Sequence, residues 1–173
     1  MTDASYAFRL RPWLPTDANA LAKCANNPKI AANLTNAFPH PYTLEHAESF
    51  IAMVMAHSTQ RILCIEVNGQ VAGSIGLHPQ SDIMERNLEL GYFLAEEFWG
   101  KGIATHAVKD MVKYGFDHFD VDRIYARPFG TNIASQRVLE KAGFKLEARF
   151  EQTIFKLGRF EDELYYAVRK TEL

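Results

Sequence analysis

Apolar residues in the middle of the chain come in short runs rich in isoleucine and valine, from Arg61 to Val67 and from Val71 to Leu77. Asn68-Gly69 between them predicts a tight hairpin, because both residues tolerate positive φ. Asn87 to Leu94 predicts a further strand, with Glu89, Gly91 and Phe93 on one face and Leu88, Leu90, Tyr92 and Leu94 on the other. Phe8 to Arg11 alternates apolar and basic residues and predicts a first strand stopped by Pro12.

Three- and four-residue spacing takes over elsewhere. Thr16 or Asp17 is expected to cap a helix running to about Asn26, with Ala18, Leu21, Ala22 and Ala25 on one face, before Pro28 interrupts. Thr43 is expected to cap a second helix whose apolar face uses Leu44, Ala47, Phe50, Ile51, Val54 and Met55. A third is marked by Ala104, Ala107, Val108, Met111, Val112, Gly115 and Phe116, with His106, Lys109, Asp110 and Lys113 opposite.

The last third predicts a short strand from Arg123 to Arg127, ending at Pro128, and a helix from Asn132 to Ala142 closed by Gly143. Phe144 to Phe150, Gln152 to Leu157 and Asp162 to Arg169 read as strands, with Gly158 turning the last hairpin. Helices inserted among mostly antiparallel strands place the fold in the α+β or mixed α/β class. No repeat or linker divides the chain, so residues 1–173 are expected to form a single domain.

Composition narrows function by exclusion. With 19 basic and 21 acidic residues and a formal charge of -2, the chain has no global attraction to nucleic acid or to an anionic membrane. No apolar run approaches the length of a bilayer span, and the start lacks the layout of a signal peptide, so a cytoplasmic location is expected. Cys24 and Cys64 fit neither a zinc site nor a disulfide framework and are expected as reduced, partly buried thiols. The six histidines are scattered, which argues against a metal site.

The strongest local signal is the stretch from Glu96 to Val108, where Gly100 and Gly102 flank Lys101 at a strand-to-helix junction. The first turn of a helix has unpaired N-H groups and the positive end of the helix dipole, and glycines let an anion come close to that backbone. The N-H groups from about Lys101 to Thr105 could converge on a pyrophosphate. Glu96 and Glu97 argue against attraction by side-chain charge. The stretch is neither a P-loop, since Lys101 has only Gly100 before it and Gly102 after it, nor a dinucleotide fingerprint, since position 105 is threonine. Taken alone, it reads equally as a tight turn.

Trp99-Gly100-Lys101-Gly102-Ile103-Ala104 resembles the acyl-CoA pyrophosphate loop of the GCN5-related N-acetyltransferases, usually Gln/Arg-x-x-Gly-x-Gly/Ala. Asn132 to Ser135, followed by Glu140 to Phe144, resembles the next segment of that family. Arg9 to Trp13, Phe38 to Tyr42 and Glu89 to Phe93 extend the likeness over nearly the whole chain, toward the ribosomal-protein alanine acetyltransferase branch. Trp99 in place of Gln or Arg is itself similar to that branch. Leu139 stands where many relatives place a tyrosine that protonates the departing thiolate, and Ser135 is the substitute that the resemblance implies.

The resemblance implies a twisted, mostly antiparallel sheet with a splayed strand pair, acetyl-CoA as the acetyl donor, no metal, and direct transfer to a primary amine. It implies that Phe93, Leu94, Trp99, Gly100, Lys101, Gly102, Ile103, Ala104, Thr105 and Asn132 bind the donor. Asn132 offers both donor and acceptor to a pantetheine amide. Glu89 reads either as a base taking the amine proton through water or as a strand glutamate paired with a cross-strand cation. Ser135 reads either as the thiolate's proton source or as a local helix cap. Cys64 as an acyl-carrying nucleophile has nothing nearby to activate it.

The resemblance places the acceptor between segments 29–45 and 150–162, where Phe38, Tyr42, Phe150, Phe155 and Phe160 mix with Arg149, Arg159, Glu151, Glu161 and Asp162. His40 and His46 are further candidates to line it. The expected acceptor is an amine, a protein N-terminus or a small molecule, without nucleic acid or membrane, and a homodimer is implied by resemblance only. The competing reading is a degenerate acyl-CoA-binding sensor without turnover.

Overall fold

A computed structural model describes residues 7–56 and 61–172. Met1 to Tyr6, part of the start read for a signal peptide, lie outside the described residues. The described elements are β1 (Phe8–Arg11), α1 (Ala18–Ala25), α2 (Pro28–Ala31), α3 (Leu44–Met55), β2 (Ile62–Val67), β3 (Gln70–Pro79) and β4 (Asn87–Leu94). They continue with α4 (Ile103–His118), β5 (Arg123–Ala126), α5 (Ile133–Lys141), β6 (Lys145–Lys156) and β7 (Arg159–Arg169). The strands form one sheet in the order β1-β2-β3-β4-β5-β7-β6, the α+β arrangement that the alternation implied. The chain falls into two compact units, Met1–Ile75 with Tyr92–Ala107, and Gly76–Gly91 with Val108–Leu173.

In the first unit β1 pairs antiparallel with β2, and α1 and α3 pack on each other around Trp13, Leu21, Ala25, Tyr42, Ala47, Ile51 and Cys64. Burying each large apolar side chain there contributes about 1.5–3 kcal/mol. The Asn68-Gly69 hairpin is present, with φ of 50° and 80°. Thr43 caps α3 as expected, its Oγ1 accepting the His46 N-H at 3.3 Å. The buried face of α3 is narrower than its pattern: Ala47 and Ile51 are buried, whereas Leu44 and Met55, at the two ends, lie beyond the packed turns and are exposed.

Two expectations fail near the start. Pro28 does not merely interrupt; it opens the short helix α2, capped by the Asn27 side chain, because a missing N-H costs nothing at a first helical position. Asp17 does not cap α1 with its side chain. Its carboxylate instead accepts from the Arg11 guanidinium at 2.7 and 2.9 Å and from the Leu14 N-H at 2.9 Å.

Arg11 is mostly buried and bridges two carboxylates, Asp17 and Glu66, and Glu66 also accepts from Arg9 at 2.6 Å. Hydrogen bonds from Arg9 and Arg11 hold Glu66 below its ordinary value of 4.5. For Asp17, burial pushes upward, but bonds from Arg11 and Leu14 outweigh it and leave it below 3.8.

In the second unit β4 runs parallel to β5 over Asn87 to Glu89, and β7 pairs antiparallel with both β5 and β6. The predicted buried stripe of α4 holds in both units: Ala107, in the first, and Val108, Met111, Val112 and Phe116, in the second, are all buried. Gly115 lies against the methyls of Leu77, Leu88 and Ile124, so the helix sits close on β3, β4 and β5. The three strands expected after Phe144 are two. The polar Glu151-Gln152 stretch is a bulge inside β6, where Gln152 takes φ of 52° and its N-H donates to Asp162 Oδ1 at 2.9 Å.

Gly73 in β3 is required by a close approach: a Cβ there would stand 2.2 Å from the Phe93 carbonyl oxygen. Gly73→Ala is expected to lower stability by about 3 kcal/mol in urea denaturation, because a backbone oxygen cannot rotate away as a side chain can. A loss under about 1 kcal/mol would show that the strands separate freely there. The carboxylates around Arg11 make a second prediction. Because their folded values are depressed, their stabilisation is complete above the ordinary values and is lost as pH falls through the depressed ones. Glu66→Gln should therefore flatten the fall of the urea midpoint below pH 4.5 while lowering it at neutral pH. An unchanged acid limb contradicts this.

Candidate functional site

The expected site residues fall in both units, and each group has its own geometry. In the first unit β4 ends at Leu94, a 3₁₀ turn covers Glu96–Phe98, and α4 begins at Ile103. Between them Gly100 and Gly102 take φ of 72° and 76°, a left-handed backbone that residues with a Cβ rarely adopt. A Cβ at Gly100 would meet no atom within 4 Å, so the loop presents bare backbone to open space. The first turn of α4 follows at once, with the N-H groups of Ile103, Ala104 and Thr105 lacking intrahelical partners. The His106 N-H donates to the Gly102 carbonyl at 3.2 Å and starts the helical ladder.

Side chains brace this loop from outside. The Trp99 indole N-H donates to the Leu94 carbonyl at 2.6 Å, tying the loop to the end of β4. Phe98 and Ile103 are buried anchors on either side of the two glycines. Lys101 lies 5.5 Å over the Phe98 ring. Glu96, on the approach to this loop in the sequence, is taken up by Lys29 and by Asn27 at 2.8 Å. Leu94 is buried, and Phe93 packs edge-on to Phe38 at 5.4 Å.

In the second unit Glu89 sits opposite Tyr125 on β5. Its Oε1 accepts from Arg127 Nε at 2.8 Å, and the Tyr125 hydroxyl reaches its Oε2 at 3.4 Å. Arg127 Nη1 also donates to Glu163 Oε1 at 3.1 Å, so one guanidinium bridges two carboxylates. The Arg127 guanidinium stands 5.9 Å over the Tyr165 ring, which stacks on Tyr125 at 5.7 Å and meets the edge of Phe150 at 5.4 Å. Burial pulls Arg127 downward, but the bond and charge of Glu89 outweigh it and hold the guanidinium protonated. Burial, then the Glu89 charge, pushes the Tyr125 hydroxyl up to about 12.

Sequence reading found Glu89 and its cross-strand cation but not which cation, nor Tyr125, Glu163 and Tyr165. The signal was alternation: Tyr125 and Arg127 are two apart, as are Glu163 and Tyr165, so each pair shares a face. Asn132 caps α5, its Oδ1 accepting the Ser135 N-H at 3.2 Å, and both residues are half-buried. Leu139 is fully buried.

Several expected acceptor residues have structural partners instead. Phe38 and Tyr42 pack together at 4.9 Å, and Tyr42 belongs to the core of the first unit. Arg149 pairs with Asp162 across the β6–β7 hairpin, near whose tip Phe155 and Phe160 pack on each other at 5.1 Å. His46 is occupied in capping α3. Burial pushes the Cys24 and Cys64 thiols up to about 12, which leaves neither as a thiolate nucleophile. Among the described residues no group of three or more His, Cys, Asp or Glu could hold a metal ion, and no helix is long and apolar enough to cross a membrane.

The described geometry matches known proteins. YdaF of Bacillus subtilis (strain 168), provisionally named a ribosomal N-acetyltransferase, is 33% identical over 105 residues, 61% of this chain and 57% of that protein. The chain thus spans little more than half the length of that relative. YoaA of the same organism, an uncharacterized N-acetyltransferase, is 29% identical over 172 residues, 93% of this chain and 92% of that one. Among solved structures, RimL, a ribosomal L7/L12 alpha-N-protein acetyltransferase in complex with coenzyme A, superposes with a TM-score of 0.83 at 19% identity, covering 97% of this chain and 96% of that chain. A spermidine N-acetyltransferase from Vibrio cholerae, in complex with CoA and spermine, gives 0.79 at 21% identity, over 95% and 96% of the two chains. Both show a shared fold. The family model for the acetyltransferase (GNAT) domain matches residues 8–145, and the chain belongs to that family.

Proposed function

We propose that the chain moves an acetyl group from acetyl-CoA directly to a primary amine, with a peptide or protein N-terminus the favoured acceptor. The observation that carries this reading is the pair of left-handed glycines, Gly100 and Gly102, opening onto the first turn of α4. Bare backbone and unpaired N-H groups at a helix start suit a pyrophosphate, and their electrostatics need no basic side chain. In the first unit backbone N-H groups from Lys101 to Thr105 hold the pyrophosphate, Trp99 steadies the loop, and the backbone of Phe93 and Leu94 bonds the pantetheine arm.

Acetyl-CoA supplies an activated acyl carbon and a thiolate leaving group. Glu89 accepts through water the proton that the attacking amine loses, Ser135 donates a proton to the sulfur as the C–S bond breaks and the C–N bond forms, and exchange with solvent water then takes the proton from Glu89 and restores that of Ser135. The open space beside Gly100, where a Cβ would meet no atom within 4 Å, supports the fit of the loop to an anion. Leu139, being fully buried, has no part in proton transfer.

A second reading has one observation in its favour. Glu89 is paired with Arg127, and a base tied to a guanidinium competes poorly for an amine proton, as in a module that binds acyl-CoA without turnover. Kinetics separate the two. Glu89→Gln should lower kcat for thiol release about 10²- to 10⁴-fold with little change in CoA affinity, and Ser135→Ala should lower it as well. Unchanged rates in both variants would defeat the assignment of roles. CoA at a hundred times its Kd should add about 2.7 kcal/mol to apparent stability in a thermal melt. No shift at millimolar CoA contradicts donor binding.

A further inference from the structure

We infer that Arg127 is a specificity-determining residue, which sets the acceptor side of Glu89 to accept one positive charge and to discriminate against polycationic amines. This rests on the reading of Glu89 as the base that meets the amine. All the groups involved lie in the second unit, on β4, β7 and β6, and on β5 and the residue that follows it.

The surroundings of Arg127 are those of a cation site. Two carboxylates, Glu89 and Glu163, contact its guanidinium at 2.8 and 3.1 Å, and the π face of Tyr165 lies beneath it. Tyr125 stacks on that ring and Phe150 meets it edge-on. Carboxylates and aromatic faces both attract ammonium groups. Without Arg127 the group would carry two negative charges, and with it the net charge is one.

The arrangement leaves a definite opening for an acceptor. Glu89 Oε1 is engaged by Arg127 at 2.8 Å, whereas Oε2 takes the long 3.4 Å contact from the Tyr125 hydroxyl. An incoming ammonium has that oxygen as its partner, while the Tyr125 ring already carries the Arg123 guanidinium at 4.7 Å, itself paired with Glu147. The side chains of Glu89 and Arg127 are 25% and 37% exposed, so the acceptor reaches them without unfolding any element. A second ammonium on the same molecule finds the other carboxylate, Glu163, bonded to the same guanidinium, so that one net negative charge is all that Glu89 and Glu163 together offer. Like-charge contact at such a distance is a penalty that screening by water only partly removes. Arg127 thereby favours a peptide N-terminus, with one charge, over a triamine.

Charge and geometry can be varied separately. Arg127→Gln removes the charge, Arg127→Lys keeps it without the two-point bridge, and Arg127→Gln/Glu163→Gln restores a net charge of one. The readout is kcat/KM for spermidine divided by that for a tripeptide amide whose one charge is its free N-terminus. Arg127→Gln should raise this ratio about tenfold, mainly through KM, while Arg127→Lys and the double variant stay near wild type. A ratio that moves less than about twofold in Arg127→Gln, or as far in Arg127→Lys, overturns the inference. Calorimetric binding of spermidine in the absence of acetyl-CoA gives the same comparison without turnover. Tighter binding to Arg127→Gln than to wild type, reversed in the double variant, supports the role of Arg127 even if no amine is acetylated, a result that would defeat the preceding functional reading alone. Equal binding by all variants overturns the inference.

Discussion

The turn from β4 into α4 depends on a backbone that only glycine adopts cheaply. Gly100 and Gly102 both take positive φ, and between them the chain reverses without placing a side chain over the helix start. Everything that the loop offers a ligand follows from this: exposed N-H groups, the positive end of the α4 dipole, and room at close range. Phe98 and Ile103 are anchored in the core, and Trp99 is tied to the Leu94 carbonyl, so the strained backbone is held from both ends. Of the two nearby acidic side chains, Glu96 is occupied by Lys29 and Asn27.

A different economy governs the Glu89 side of the second unit. A strand that alternates inward and outward residues carries one carboxylate on its polar face, and a neighbouring strand supplies a guanidinium to meet it. Such a pair is ordinary in a sheet. Its setting is less so, because the same guanidinium bridges to Glu163 and lies over Tyr165. The proposed base is therefore part of a group with one net negative charge rather than an isolated carboxylate, and the amine that it serves must suit that charge.

Most of the fold was legible because its periodicities are clean. The Asn68-Gly69 hairpin, the Thr43 cap, the α4 stripe and the Gly143 stop each follow from local chemistry that tertiary structure did not override. What escaped was set by distant partners. Asp17 looked like a cap but is bound to Arg11, and the break at Glu151-Gln152 looked like a strand end but is a bulge held by Asp162. The candidate site divided in the same way. Its loop could be read from consecutive residues, whereas Arg127, Glu163 and Tyr165 join Glu89 only through the pairing of β5 with β4 and β7. No spacing in one dimension encodes that meeting.

The central claim is direct transfer of an acetyl group from CoA to an amine nitrogen. Its most direct test is intact-mass spectrometry of a tripeptide amide incubated with acetyl-CoA and the protein, with released thiol measured in the same sample. The account predicts one acetyl group on the peptide amine for each thiol released, and no acetylated protein that accumulates on the way. Thiol release without acetylated peptide, or an acetyl group retained on the protein, would contradict it.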